Sequence, residues 1–180
     1  MSNIIAFSGK ARSGKTTAAN IIHDTWPEFT VISFATPIKQ MAMAQFDLTK
    51  EDIEDKKKEI IIGDKQWTVR KLLQEIGRMY RAIDPDFWVK LLWKDADKIL
   101  NAHKSIIIDD LRFKNEAKFL EAKGASLVRI ERPGIELIDD VSEKDLDDYP
   151  FKNRIPNNSA LENFHNMVVL YHALGLRTKD

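Results

Sequence analysis

The chain has 180 residues, 28 of them basic and 28 acidic, with 43% hydrophobic residues and no cysteine. That length suits one domain with a sizeable core, and the composition excludes a disordered chain. Zero net charge argues against duplex binding, and the missing cysteines exclude disulfides and thiol chemistry.

The histidines, His23, His103, His165 and His172, are scattered without the spacing of zinc ligands. No apolar run approaches the roughly 18 residues of a membrane span. The first strand begins almost at once, leaving no room for a signal peptide, so the expected location is the cytoplasm.

Ile4–Ser8 reads as a buried strand and Lys15–His23 as a helix, with Gly9-Lys10-Ala11-Arg12-Ser13-Gly14-Lys15-Thr16-Thr17 between and into it. Strand, G-x-x-x-x-G-K-T, then helix is the Walker A context. Gly9 and Gly14 let the backbone take conformations a side chain would block. The loop's N–H groups can then surround a phosphate at the helix N-terminus. Lys15 is placed to reach the β- and γ-phosphates, the Thr16 hydroxyl to ligate Mg²⁺, and Arg12 to contact the transferring group.

Thr30–Phe34 reads as a second strand, and Pro37 suits the first turn of a following helix. Residues 49–59, with Lys56-Lys57-Lys58, read as a solvated charged face or mobile segment. Thr68–Arg81 reads as a helix, and Asp84-Pro85 as N-cap and first position of the next, which carries Trp88, Leu92, Ala96 and Ile99 on one stripe. Ser105–Ile108 is a buried strand ending in Asp109-Asp110. A helix through Phe113, Ala117 and Leu120 stops at Gly124, and Leu127–Ile130 is a strand. Lys152–Ile155 is a weak last strand. Ser159 with Glu162 forms a capping box for a final helix carrying Leu161, Phe164, Val168, Tyr171 and Leu174.

This alternation predicts an α/β fold with a parallel sheet covered by helices on both faces. Ligands in such sheets bind beyond the carboxyl ends of the strands, where the loop, Asp109-Asp110 and Arg132 all fall. The Ile106–Ile108 run followed by acid has the form of a Walker B strand. Since adjacent strand residues face opposite ways, one of the two acids should face the phosphates, and strand-then-acid counting favours Asp109. Arg70, Arg81, Arg112 and Arg132 are further candidates for bidentate phosphate contact.

Four segments in order carry a resemblance spanning nearly the whole chain: Phe7–Thr17; R-K-L-L-Q-E-I-G at Arg70–Gly77 with I-D-P-D-F-W-V at Ile83–Val89; D-L-R-F-K-N-E-A at Asp110–Ala117 with Gly124–Gly134; and Ser142-Glu143 followed by I-P-N-N-S at Ile155–Ser159. In these the chain resembles the deoxynucleoside monophosphate kinases of tailed bacteriophages. The resemblance implies a single P-loop kinase domain over residues 1–180, of the three-layer nucleoside monophosphate kinase type. An acceptor-binding insertion would cover about 37–90 and a lid about 132–150.

It further implies transfer of the ATP γ-phosphoryl group to a deoxynucleoside monophosphate, with Mg²⁺ between Thr16 and the Asp109-Asp110 pair. The D-x-R-F match prefers Asp110 as the site acid and puts Arg112 near the transfer point. Arg70 and Gln74 would line the monophosphate pocket with Arg81 and Trp88 nearby, Arg132 would begin the lid, and Asn157 and Asn158 would lie near adenine. A homodimer in the host cytoplasm, with no nucleic-acid or membrane partner, completes the implied picture. Two positions depart from the family pattern: Arg78 replaces a threonine, and Asp140 a histidine. Rival readings are a kinase resembling dephospho-coenzyme A kinase or animal-type phosphomevalonate kinase, and a nucleic-acid-dependent ATPase. A regulatory nucleotide switch would require an N-K-x-D motif, which the sequence lacks.

Overall fold

The computed structural model describes residues 3–54, 61–62, 67–135, 140–158 and 160–175. They form two compact units, residues 1–33 with 92–180 and residues 34–91. The second unit spans nearly the stretch expected as an acceptor-binding insertion.

In chain order the elements are β1 (Ile4–Ser8), α1 (Lys15–Thr25), β2 (Phe29–Ile32), α2 (Ala35–Phe46), α3 (Lys50–Glu54), β3 (Ile61–Ile62), β4 (Trp67–Thr68), α4 (Val69–Ile83) and α5 (Phe87–Asn101). Then follow β5 (Ser105–Leu111), α6 (Lys114–Ala122), β6 (Ser126–Glu131), α7 (Val141–Lys144), β7 (Asn153–Pro156) and α8 (Leu161–Gly175). In the first unit, five strands make one parallel sheet in the order β2-β5-β1-β6-β7. The α/β expectation holds, and β1 lies at the centre, so its carboxyl end delivers the glycine-rich loop to the middle of the sheet edge.

Strand alternation divides the core. Ile5, Phe7, Ile107, Val128, Ile130 and Ile155 pack with Ala18, Ala19 and Ile22 of α1 and Phe164 and Val168 of α8. The alternate positions Ile4, Ala6, Ile106, Ile108 and Leu127 are buried too, so the sheet is covered on both faces. On α6, Ala117 and Leu120 are fully buried. Its Phe119 meets Trp93 of α5 edge to face, with ring centroids 5.3 Å apart. Among the described residues no helix is long and apolar enough to cross a membrane.

The second unit packs Ala42, Ile53, Val69 and Leu72 around a small core with Leu48, Trp67, Leu73 and Ile76. Thr68 caps α4, its hydroxyl accepting from the Lys71 N–H at 3.2 Å. The antiparallel pair of β3 and β4 escapes sequence reading because two residues a strand leave no periodicity. Pro37 is the third residue of α2 and so lies in its first turn, as expected. Helix α5 starts at Phe87, and the Asp84 carboxylate takes the Asp86 N–H at 3.0 Å, so Asp84-Pro85 forms the turn before the helix. The Lys56–Lys58 run, Ser159 of the expected capping box and positions 136–139 of the expected lid lie outside the described residues.

Candidate active site

Gly9 and Gly14 are demanded by space as well as conformation. Gly9 has φ +150, and a Cβ there would lie 2.5 Å from Ser13 Oγ and 2.6 Å from the Ile130 carbonyl. Gly14 has φ +106, and its Cβ would meet Asn157 Nδ2 at 2.7 Å and Phe164 at 3.4 Å. Arg12, exposed, takes φ +63 at the loop's apex. Gly14 caps α1 with no side-chain bond, and no acid stands in the first turn, so the leading N–H groups keep their partial positive charge for an anion. Thr17 is exposed in that first turn.

Lys15 is 7% exposed, and its amine donates to the Gly9 and Lys10 carbonyls at 2.8 Å each. Burial and then the Arg112 charge lower its pKa to about 8, against the opposing pull of Glu143, Asp110 and Asp109. The ammonium is therefore held back against its own loop, with the main-chain oxygens standing in for a ligand.

The acids do not follow simple alternation. Strand β1 advances two residues from Ala6 to Ser8 while β5 advances three, from Ile108 to Leu111, so a bulge falls at Asp109-Asp110. Both carboxylates then serve the same end of the sheet. Asp109 Oδ2 accepts from the Thr16 hydroxyl at 2.8 Å, and Asp110 Oδ2 accepts from the Ser33 hydroxyl at 2.7 Å. Both also add negative charge near Lys15.

Arg112 follows the bulge. Its main-chain N–H and that of Phe113 donate to Glu116 Oε2 at 3.0 and 3.1 Å, a buried cap at the start of α6. Its guanidinium pairs with Glu143 Oε1, while Glu143 Oε2 accepts the Ala11 N–H at 2.7 Å. Lys10 reaches the Glu143 carbonyl at 2.5 Å and Asp147 at 2.6 Å, and Arg129 shares Asp147 at 2.9 Å. Glu143 and Arg129 thus stand beside the loop, and residue-by-residue reading singled out neither. The signal for the first was the Ser142-Glu143 pair; Arg129, in mid-strand, gave none.

A cavity of about 550 Å³ opens beside the loop, lined among others by Lys10, Ser13, Arg129, Arg132, Arg154 and Asn158. Arg132 Nη1 donates to the Arg12 carbonyl at 3.3 Å. Asn157 Nδ2 donates to the Ser13 carbonyl at 2.8 Å, bracing the loop, and leaves exposed Asn158 as the amide on the cavity wall.

In the second unit, Arg70, Gln74, Gly77 and Arg81 fall at the i, i+4, i+7, i+11 positions of α4, on one face of the helix beside the apolar one, with Gly77 buried. Arg70 Nε is buried without a hydrogen-bond partner. A Cβ on Gly77 would come within 3.2 Å of the Arg81 guanidinium. Trp88 follows its apolar stripe into the core: it is 1% exposed, its indole N–H donates to the Gly77 carbonyl at 3.0 Å, and its ring packs against Tyr80 and Phe87. It backs the stripe from the core and has no free face for a base. Arg78 is exposed and pairs with Glu75 at 2.6 Å, off the stripe.

Comparison with known proteins gives the family. The sequence model of the family described as "Deoxynucleotide monophosphate kinase" matches residues 44–168. A protein of Acanthamoeba polyphaga mimivirus, provisionally named as a deoxynucleotide monophosphate kinase, is 32% identical over 183 residues, covering 92% of this chain and 94% of its own. The deoxynucleotide monophosphate kinase of Enterobacteria phage T4 is 35% identical over 72 residues, 38% of this chain and 30% of its own. Among solved structures, the dephospho-CoA kinase of Campylobacter jejuni shares the fold with a TM-score of 0.59 at 15% identity, covering 98% of this chain and 100% of that one. The chain belongs to the deoxynucleotide monophosphate kinase family, nucleotide-using P-loop kinases that act on deoxynucleoside monophosphates.

Proposed function

We propose that the protein transfers the γ-phosphoryl group of ATP directly to a deoxynucleoside monophosphate, giving the diphosphate and ADP without a phosphoenzyme. The observation that carries this reading is one uncapped helix N-terminus with Lys15 folded against its loop, Asp109 on Thr16, and Arg112 tied to the loop through Glu143. Phosphoryl transfer is mostly positioning and charge stabilisation, and these groups supply both. Arriving phosphates would replace the Gly9 and Lys10 carbonyls as partners of Lys15. Arg12 at the loop's apex and Arg112 would neutralise charge on the transferring group. The acceptor phosphate needs little deprotonation, so no strong general base is required.

Thr16 and Asp109 fit Mg²⁺: they are hard oxygen donors already in contact, and this ion usually takes one or two protein ligands besides phosphates and water. When bound there, the ion would offset phosphate charge. We assign Asp109 to the ion and Asp110, held by Ser33, to its surroundings, reversing the order of preference drawn from the D-x-R-F match.

The cavity beside the loop suits the nucleoside of ATP, with Asn158 and Arg132 on its wall. Arg70, Gln74 and Arg81 are assigned to the acceptor, and the unsatisfied Arg70 Nε supports a phosphate there. A homodimer in the host cytoplasm, suggested by the phage resemblance, belongs to the same reading and is checked by sedimentation. The functional test is ADP formation from ATP and Mg²⁺ with dAMP, dGMP, dCMP, dTMP, hydroxymethyl-dCMP, the ribonucleotides and dephospho-coenzyme A. Turnover with one or more deoxynucleotides and little without acceptor is expected. Turnover with dephospho-coenzyme A alone would overturn the reading.

A further inference from the structure

Arg112 is fixed at both ends. Glu116 holds its main chain, and Glu143 holds its guanidinium. Of these two acids, Glu143 does more than pair: it is 8% exposed, and its second oxygen takes the Ala11 N–H of the phosphate loop at 2.7 Å. Its carbonyl takes Lys10, the loop's other cation on that side, at 2.5 Å. One residue thus joins the loop after β1 to the turn after β5. Burial alone would raise its carboxyl pKa, but the Arg112 charge and guanidinium, the Ala11 N–H and Lys15 outweigh it and hold the group below the usual carboxylate range, ionised at neutral pH.

The rest of its segment is anchored as well. Asp145 accepts the Lys114 N–H at 2.7 Å, and Asp148 pairs with the Lys114 amine at 2.8 Å. Asp147 binds Lys10 and Arg129. A free arginine has several rotatable bonds and would lose rotamer freedom each time it met a phosphate. An arginine already clasped has lost that freedom in advance, and pairing one Nη with Glu143 still leaves donors of its five for a phosphate oxygen.

Resting on the kinase reading above, we propose that Glu143 is a positioning residue that clasps Arg112 to the phosphate loop and so sets where Arg112 meets the transferring phosphoryl group. The clasp acts through Arg112 and touches no substrate. Glu143→Gln keeps the volume and an acceptor for Ala11 but removes the charge that holds the guanidinium. Its kcat should fall about tenfold, with ATP affinity and thermal midpoint near wild type, since misplacing one donor costs that order.

The decisive comparison is a double-mutant cycle. In an Arg112→Ala background, adding Glu143→Gln should change kcat by less than about twofold, because a clasp without its arginine has nothing to place. Multiplying losses would overturn the proposal, as would a single-variant kcat within twofold of wild type. A large gain in ATP affinity would overturn it too, by making Glu143 a competitor of phosphate. If Glu143→Gln fails to fold, Glu143→Asp, which keeps the charge on a shorter arm, enters the same cycle. A readout independent of transfer is the Ala11 amide resonance: Arg112→Ala should shift it through Glu143, and an unmoved amide would contradict the clasp. If the wild type transfers to no nucleotide, the kinase reading fails while the amide still judges the clasp.

Discussion

The two regions that we assign to phosphates are held in different ways. In the first unit, the main chain of the loop from Gly9 to Thr17 is braced at several points, Asn157 on Ser13, Glu143 on Ala11, Arg132 on Arg12 and Lys15 on the loop's own carbonyls, although Ser13 Oγ is buried without a partner. In the second unit, the α4 stripe holds a buried arginine nitrogen with no partner. Braced donors have lost their freedom before substrate arrives and can be spent on the transition state. An unsatisfied donor gains its partner only on binding, so its contribution falls on substrate affinity.

Substitutions can break this contrast. Lys15→Ala should cut transfer by about a thousandfold or more while the fold, judged by circular dichroism, survives. Near-normal turnover would remove the loop from the mechanism. Arg112→Ala should lower kcat by about a hundredfold and change ATP affinity only a few-fold. Equal losses in both would move Arg112 away from the transfer point. Arg70→Ala should instead raise the acceptor KM by about tenfold with a smaller change in kcat, the cost of one charge-assisted phosphate contact. If Arg70→Ala behaves like Arg112→Ala, the contrast between the two regions is wrong.

The smallest effect lies away from both. His172 of α8 is 2% exposed against the rings of Trp26 and Phe29, and its Nε2 has no partner. Burial lowers its pKa below the ordinary 6.5, partly opposed by Glu28. The unfolded chain therefore binds the proton more readily, so this contribution to stability is present above pH 6.5 and is lost as pH falls through the folded value. The thermal midpoint should drop between pH 7 and pH 5, and His172→Phe should flatten that part of the profile. An equal drop in the variant would put the acid sensitivity elsewhere.

Much of the frame was legible because its signals are local. The glycine-rich loop, the buried strands and the α1 and α6 boundaries each follow from spacing within a dozen residues. The strand order was not, since which apolar strands lie side by side depends on contacts across the whole chain. The Asp109-Asp110 pair was only partly legible: alternation assumes an even ladder, and the extra residue in β5 breaks that ladder where the two acids stand. Trp88 was legible as core through its apolar stripe with Leu92, Ala96 and Ile99, whereas its bond to the Gly77 carbonyl depends on how α4 and α5 pack. Glu143 was visible as half of a two-residue pattern, but its role depends on Ala11 and Arg112, distant in sequence.

The central claim is direct transfer between two bound nucleotides. Incubating the protein with Mg²⁺, a deoxynucleoside monophosphate and ATP labelled in its γ-phosphate, then resolving the products, tests it in one step. The account predicts label in the deoxynucleoside diphosphate, none retained on the protein, and no transfer by Lys15→Ala. Label recovered as inorganic phosphate, or bound to the chain, would contradict it.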